Sequence, residues 1–354
     1  MNLPTHDFLS APLWLLTTLH ILTLTLHFVA MNFVLGGVAI MIWGKWTDRW
    51  ENPVVQTFVK AFPSVMAATV TLGVAPLLFA QLVYGQVIYS AAVTSAWFFL
   101  AIVPVVILGY YSFYGAALFD LSGERKSRLL VVALTCLVYV SLVYVTVFAM
   151  AESPEKMAAA YANSPGGWVI YPVVGEWFFR WAHMFLGALT VGGYFVGLLG
   201  RENEEAFKIG KTFYLWGLIG ASLAGLAYVG MLGDHLKPFM QSSGIWVLTV
   251  AVVLSLGSAH LFFKKKFVPS GALIFLSLLG MVITRHILRL VKLREVFDPA
   301  SIRVDAQWSL AGLFILCFVI MLGLLFWMVK LFRTTGGAAH PRPTGEAVGA
   351  PPPR

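Results

Sequence analysis

Residues 180–199 read RWAHMFLGALTVGGYFVGLL, and this stretch decides how the rest of the chain is interpreted. It is long enough for one helical passage through a bilayer, which needs about 20 apolar residues. It nevertheless carries Arg180 at its start and His183 one turn further on. An imidazole in hydrocarbon is costly unless it binds something. The stretch therefore predicts a membrane helix whose histidine has a partner.

The whole chain has the composition of an integral membrane protein. Of its 354 residues, 59% are hydrophobic and 11% are charged, whereas soluble domains carry about 25% charged residues. The basic residues behind the net charge of +8 lie between apolar spans, so membrane topology explains them better than nucleic-acid binding. The expected surroundings are membrane lipid, with no nucleic acid. The two cysteines form no CxxCH haem-attachment motif.

Nine apolar segments are candidates for membrane spans. Only helices satisfy their own backbone in lipid without closing a barrel, so the predicted fold class is all-α, a polytopic transmembrane helical bundle of about nine helices. The bundle is predicted to occupy residues 1–332, and residues 333–354 are predicted to be a disordered cytoplasmic tail. The predicted spans are 13–44, 62–90, 94–120, 128–151, 175–199, 208–232, 243–264, 268–291 and 307–332.

Basic residues gather in the loops that follow the first, third, fifth and seventh spans. The positive-inside rule predicts that these loops are cytoplasmic, with the N-terminus outside and the C-terminus in the cytoplasm. The expected location is the inner (cytoplasmic) membrane. The basic residues of these loops include Lys45, Arg49, Lys60, Arg125, Lys126, Arg128, Arg201, Lys208, Lys211, Lys264, Lys265 and Lys266.

This orientation brings four histidines near the outer face. At a rise of about 1.5 Å per residue, His20 and His183 lie at a similar depth of ~12 Å. His286 lies nearer the outer end of its span, and His235 follows the sixth span. Imidazoles on facing helices are suitable axial ligands for haem iron. Haem is therefore favoured for this group, and hydrogen bonds between helices are the alternative for each histidine.

The residues around these histidines allow two interpretations. Gly187, Gly192 and Gly193 follow His183, and they either leave room for a flat macrocycle or serve close helix packing. Three arginines near the outer end of the bundle, together with Lys292, are candidates for pairing with haem propionates or else with lipid phosphates. These arginines are Arg180, Arg285 and Arg289.

Two further sets of polar residues lie in or near the spans. His27 and His260 lie deeper, and interhelical hydrogen bonds are favoured for them over a second haem. The second span contains Pro76, which kinks a helix and frees a carbonyl. Polar residues crowd its outer end, where they are candidates for a quinone headgroup or a propionate, or simply form a polar helix end. They include Gln81, Tyr84 and Gln86.

Four motifs together resemble subunit I of the cytochrome bd quinol oxidases, most strongly over residues 13–240. The resemblance implies that His20 and His183 ligate haem iron and that Met240 is a candidate partner of His183. It also implies that His286, followed by Arg289, stands where the family has a glutamate ligand. The motifs are LH at 19–20, LGVAPLLFAQLVYG at 72–85, RWAHMFLGALTVGGYFVG at 180–197 and GMLGDHLKP at 230–238.

The chain departs from that family where oxygen chemistry is concerned. Its third span has no carboxylate to deliver protons, and the connection GDHLKPFMQS at 233–242 is too short for the family's quinol-binding loop. Buried oxygen reduction needs a proton path, which carboxylates or histidines usually provide. The resemblance, read with these departures, implies a relative that keeps haem for electron transfer.

The expected function is that of a membrane b-type cytochrome subunit with two or more b haems. It would pass electrons between the quinone or menaquinone pool and an extracytoplasmic redox partner, such as a multihaem c-type cytochrome. His286, Met240 or His235 would complete the coordination of iron, and a subunit II-like membrane chain is a further expected partner. The alternatives are a divergent terminal quinol oxidase and a haemless membrane anchor of a redox complex.

Overall fold

The computed structural model describes residues 8–335, and within that range the predicted all-α fold is confirmed. Nine helices there are long and apolar enough to cross a membrane. The β-structure found in the described range is one isolated bridge, between Leu9 and Val304. The nine helices are α1 Leu13–Trp46, α2 Pro53–Thr94, α3 Ala96–Leu118, α4 Gly123–Ala151, α5 Val174–Leu199, α6 Glu204–Gly230, α7 Gly244–Phe263, α8 Phe267–Leu293 and α9 Trp308–Thr335.

Several helices begin earlier than their apolar segments do. The helix α2 begins at Pro53, whereas its apolar segment was predicted from residue 62, because Asn52 accepts a hydrogen bond from the Val54 amide at 3.0 Å. Ser122 caps α4 in the same way. Such caps satisfy backbone donors that water would otherwise bind. Hydropathy reports where a helix crosses apolar surroundings, whereas capping residues decide where it starts.

The structure adds two features to the predicted organisation. A short helix, Pro154–Asn163, lies in the long connection between α4 and α5. The chain also divides into two units, one ending at Val304 and the other beginning at Asp305. The second unit consists, over its described residues, of α9. Of the predicted tail, residues 333–335 end α9, and the remainder lies outside the described residues.

The helix α1 lies at the centre of the first unit, where it packs against α2, α4, α5 and α8. The helices α3 and α4, α5 and α6, and α7 and α8 form adjacent pairs. One half of the core is rich in aromatic residues, with Phe33 of α1 stacked on Phe58 of α2 at 4.8 Å between ring centroids. At the other end of α2 the helical geometry is interrupted at Tyr84.

The sequence left two roles open for the glycines near His183, close helix packing and room for a flat macrocycle, and the structure separates these glycines into two groups. A Cβ on Gly192 would lie 2.6 Å from the Gly36 backbone, and one on Gly193 would lie 2.5 Å from the Tyr214 backbone nitrogen. These two glycines therefore permit close crossings of α5 with α1 and α6. A Cβ on Gly187 would meet no atom within 4 Å. Gly187 is thus the glycine with open space beside it.

A single added methyl group should separate the central helices. A Cβ at Gly36 would lie 1.9 Å from the Ala188 carbonyl oxygen. We expect Gly36→Ala to lower the free energy of unfolding by about 1–3 kcal/mol through overpacking. Gly44→Ala, on the same helix, meets nothing within 4 Å, and should instead be neutral or stabilising by up to about 1 kcal/mol. Thermal unfolding in detergent measures both, and equal melting temperatures would contradict this packing.

Candidate functional site

Three histidines bind backbone carbonyls of neighbouring helices in the same way. A carbonyl oxygen only accepts hydrogen bonds, so in each histidine the Nδ1 atom must carry the hydrogen. The Nε2 atom then keeps its lone pair, which is the tautomer of a histidine prepared to ligate a metal. The distances are 2.9 Å from His20 Nδ1 to Pro76 O, 2.9 Å from His27 Nδ1 to Thr69 O and 2.8 Å from His183 Nδ1 to Ala221 O.

A small residue four positions after each acceptor carbonyl makes room for the ring. A Cβ on Gly225 would lie 2.9 Å from His183 Nδ1, and one on Gly73 would lie 2.9 Å from the His27 ring. The equivalent position after Pro76 is Ala80. Because residues four apart lie on one face of a helix, the glycines let the imidazoles reach the carbonyls.

The two deeper histidines differ from each other. His27 makes the interhelical hydrogen bond that was expected of it, to α2. His260 is exposed on α7, and its side chain makes no hydrogen bond within the described residues, so the expected bond is wrong there. The exposed position of the His260 ring on α7 explains why it contacts no described helix in this way.

The helix α8 runs past both His20 and His183. Arg289 and His286 lie within electrostatic range of His20, and Arg285 lies within range of His183. The Nδ1 atom of His286 is buried and has no hydrogen-bond partner in the described part of the chain. The structure thus brings together His20 and His286, which the sequence placed at different depths.

The carboxylate of Glu152 joins α4 to α5 and α8. It accepts hydrogen bonds from Arg180 at 3.1 Å, from Arg289 at 3.3 Å and from Arg285. Glu152 is 1% exposed. Burial raises the pKa of this carboxyl, but the three guanidinium groups and Lys292 outweigh burial and lower the pKa to about 2. Glu152 is therefore ionised throughout the physiological range.

A second buried carboxylate, Glu176, lies in the first turn of α5. Lys292 binds it, Lys156 lies 3.8 Å away, and the Tyr171 hydroxyl donates a hydrogen bond to it at 2.9 Å. Burial raises the pKa of Tyr171, and the neighbouring Glu176 raises it further. The hydroxyl therefore remains a donor to Glu176.

The end of the bundle that these residues form carries more positive than negative charge. Four basic side chains with little exposure, Arg180, Arg285, Arg289 and Lys292, face two carboxylates, so positive charges exceed negative ones by two among these described groups. Lys156, also beside Glu176, is half-exposed to solvent. Such an excess in a buried place is costly without an anion. Polar atoms buried there without a partner in the described range are Tyr84 Oη, Gln86 Oε1, His286 Nδ1 and Arg289 Nη1.

The remaining candidates make no hydrogen bond to this cluster in the described part of the chain. His235 lies in a short 3₁₀ turn, where burial and the charges of Lys292 and Lys156 lower its pKa. Met240 is 49% exposed at the end of the helix Leu236–Met240, and no contact described in the structure joins it to His183. Gln81 is half-buried on α2, three residues before Tyr84.

Glu152 and Glu176 were missed by the sequence reasoning, although a signal existed. Four basic residues at the span ends that were predicted to be outer contradict the positive-inside pattern unless acidic partners neutralise part of their charge. Glu152 and Glu176 lie at the ends of the two spans that flank the long connection. They were therefore the carboxylates best placed to provide that charge.

Comparison with known proteins identifies the fold. No family model matches the chain, and no curated protein matches it. Among solved structures, the bd oxidase from Geobacillus thermodenitrificans is similar, with a TM-score of 0.62 and 13% sequence identity over 94% of this chain and 100% of that chain. The chain has a bd-oxidase-like fold. At this identity, the likeness to bd oxidase establishes the arrangement of helices and nothing about the chemistry.

Removing the charge of Glu152 should destabilise the bundle strongly. We expect Glu152→Gln to cost about 3–5 kcal/mol at pH 7, because it leaves three buried arginines without their shared anion. The folded pKa of about 2 lies below the ordinary value of 4.5. This stabilisation is therefore complete above pH 4.5 and is lost as the pH falls towards 2.

Melting temperatures of purified wild-type and variant protein between pH 7 and pH 3 provide the measurement. The gap between the two should narrow below pH 4.5, the ordinary carboxyl value. Glu155→Gln changes an exposed residue three positions away and serves as the matched control, with no expected loss. An unchanged melting temperature for Glu152→Gln would exclude the cluster as a structural element.

Proposed function

We propose that the protein is a membrane b-type cytochrome subunit that transfers electrons between the quinone or menaquinone pool and an extracytoplasmic redox partner. One observation carries this proposal: His20 and His183 both donate from Nδ1 to a carbonyl, so that Nε2 of each is available beside a cluster whose described groups carry two more positive than negative charges. Haem offers what these groups lack, an iron for Nε2 and carboxylates for the arginines.

His20 and His183 are the proposed iron ligands on the α1 and α5 sides. His286, whose Nδ1 is buried without a hydrogen-bond partner among the described residues, is the proposed additional ligand near His20. A Cβ on Gly187, one turn from His183, would meet no atom within 4 Å, and the flat group is proposed to pack against α5 there. Met240 and His235, in the connection between α6 and α7, remain proposals for the residue that would complete the coordination of iron.

The arginines are proposed to hold the propionates. Arg289 has a buried Nη1 atom that makes no hydrogen bond within residues 8–335, and Arg180 and Arg285 share Glu152. A carboxylate arriving at this cluster finds charged donors already positioned by Glu152, so little reorganisation is needed. Gln81, Tyr84 and Gln86 are proposed to contact the same groups or the quinone from α2.

Electron transfer is favoured over oxygen reduction by the residues that surround the candidate ligands. Haem, when bound, supplies a one-electron carrier, and two protein ligands on one iron close it to oxygen. The helix α3 contributes no carboxylate that would deliver protons. The proposed redox partner is a multihaem c-type cytochrome on the outer face, and a subunit II-like chain is the proposed membrane partner.

Replacing the ligands should remove haem in a selective way. We expect His183→Ala and His20→Ala each to lose one haem per chain, because in each case an Nε2 ligand disappears. His260→Ala is the matched control, since that ring is exposed on α7, and it should keep the full haem content. Haem per chain and reduced-minus-oxidised spectra of the purified protein are the measurements.

The same spectra distinguish the competing functions. A sharp band that carbon monoxide does not shift fits the proposed cytochrome, whereas a band that responds to carbon monoxide would favour a terminal quinol oxidase. If the wild-type protein shows no haem absorption, the remaining function is that of a haemless membrane anchor. Retention of all haem by both ligand variants would refute the ligand assignment.

A further inference from the structure

A cleft of about 290 Å³ lies at the end of α8 nearest the charge cluster. Its volume is just below the roughly 300–1,000 Å³ of pockets that enclose whole drug-sized ligands. A headgroup therefore fits it, but a complete lipid-soluble molecule does not. The lining residues are Ile287, Leu290, Val291, Arg294, Phe297, Asp298 and Pro299.

The cleft combines an apolar wall with a polar rim. Ile287, Leu290 and Val291 lie three and four positions apart, so they form one ridge along α8. At the rim, Arg294 and Asp298 are exposed. The Asp298 carboxylate already accepts a hydrogen bond from the Ala300 amide at 2.9 Å, which holds its orientation.

The charge of the rim selects the kind of headgroup. Arg294 and Asp298 are one cation and one anion, so the cleft has no net charge of its own. The carboxylate opposes a phosphate headgroup, whereas a neutral ring with polar oxygens gains from both residues. Arg294 can donate to a carbonyl oxygen, Asp298 can accept from a hydroxyl, and Phe297 offers an aromatic surface.

A line of ring contacts joins the cleft to the candidate haem site. The Phe297 ring lies edge-on to the Tyr84 ring, with 6.0 Å between centroids. The Arg289 guanidinium lies 5.1 Å from the Tyr84 ring centroid, and Arg289 is within electrostatic range of His20. Tyr84 thus contacts both Phe297 of the cleft and Arg289 of the cluster.

We propose that this cleft binds the headgroup of a membrane quinone or quinol, with its isoprenoid tail along the ridge of α8. This inference rests on the proposed function, and it specifies the place where the quinone pool meets the protein. It places the quinone at the connection after α8. Of the two roles proposed for the α2 residues, it therefore keeps contact with the groups that hold the propionates, and Tyr84 lies between the quinone and Arg289.

The test measures binding of a short-tailed naphthoquinone to the purified protein by calorimetry in neutral phosphatidylcholine nanodiscs. Phe297→Ala removes the aromatic surface, and Asp298→Asn removes the charge but keeps an acceptor for the Ala300 amide. We expect each variant to weaken binding about tenfold. Glu295→Gln, an exposed neighbour outside the cleft, is the matched control and should bind as the wild type does.

Haem content, measured on the same samples, separates this inference from the proposed function. Weakened naphthoquinone binding with unchanged haem supports the cleft. Unchanged binding in Phe297→Ala and Asp298→Asn overturns it, even if haem is present. If the protein never contains haem but shows the expected binding pattern, the proposed function is refuted, whereas quinone binding in the cleft remains supported.

Anionic lipid provides the final comparison. In nanodiscs containing phosphatidylglycerol, the naphthoquinone should bind as it does in neutral ones. If naphthoquinone binding is lost in the anionic nanodiscs and Arg294→Gln restores it, the cleft binds a lipid phosphate, and the proposal fails.

Discussion

The buried carboxylate of Glu152 is the group on which this end of the bundle depends. It lies just beyond α4 and binds arginines from α5 and α8, so it joins three helices at one point. Without an anion there, Arg180, Arg285 and Arg289 would repel one another in a place that water hardly reaches. Glu176 does the same for Lys292. Among the described residues, these carboxylates compensate only part of the positive charge of the cluster.

The histidines follow from the same constraint that shapes the fold. In a membrane, a polar side chain is retained when it has a partner. Here a carbonyl on the next helix satisfies one nitrogen of His20, His27 and His183. That bond satisfies a structural need, and it also fixes the tautomer that a metal requires. Hydrogen bonding between helices and iron ligation, which began as alternatives, are therefore compatible in one side chain.

His27 shows the limit of that argument. Its geometry matches that of His20, two turns away on the same helix. It lacks the neighbouring charges, however, because the basic cluster lies at the far end of α8. A prepared imidazole is thus one of two conditions for the proposed site, and the excess of positive charge is the other. His20 and His183 meet both.

By itself, the sequence determined the class of protein and most of its helices. Apolar segments of sufficient length predict spans, because the backbone must be satisfied internally in lipid. It also placed His20, His183 and the arginines near one end of the bundle. These are properties of single segments, since hydropathy and the rise per residue need no knowledge of neighbouring helices.

Only the tertiary structure decided which groups meet. Rotation of each helix about its axis and the register between helices set the pairing of Glu152 with three arginines and the orientation of His183 towards Ala221. They also separated Gly187, which faces open space, from Gly192, which touches α1. Sequence spacing gives the face of a helix that two residues share, but it does not say what that face contacts.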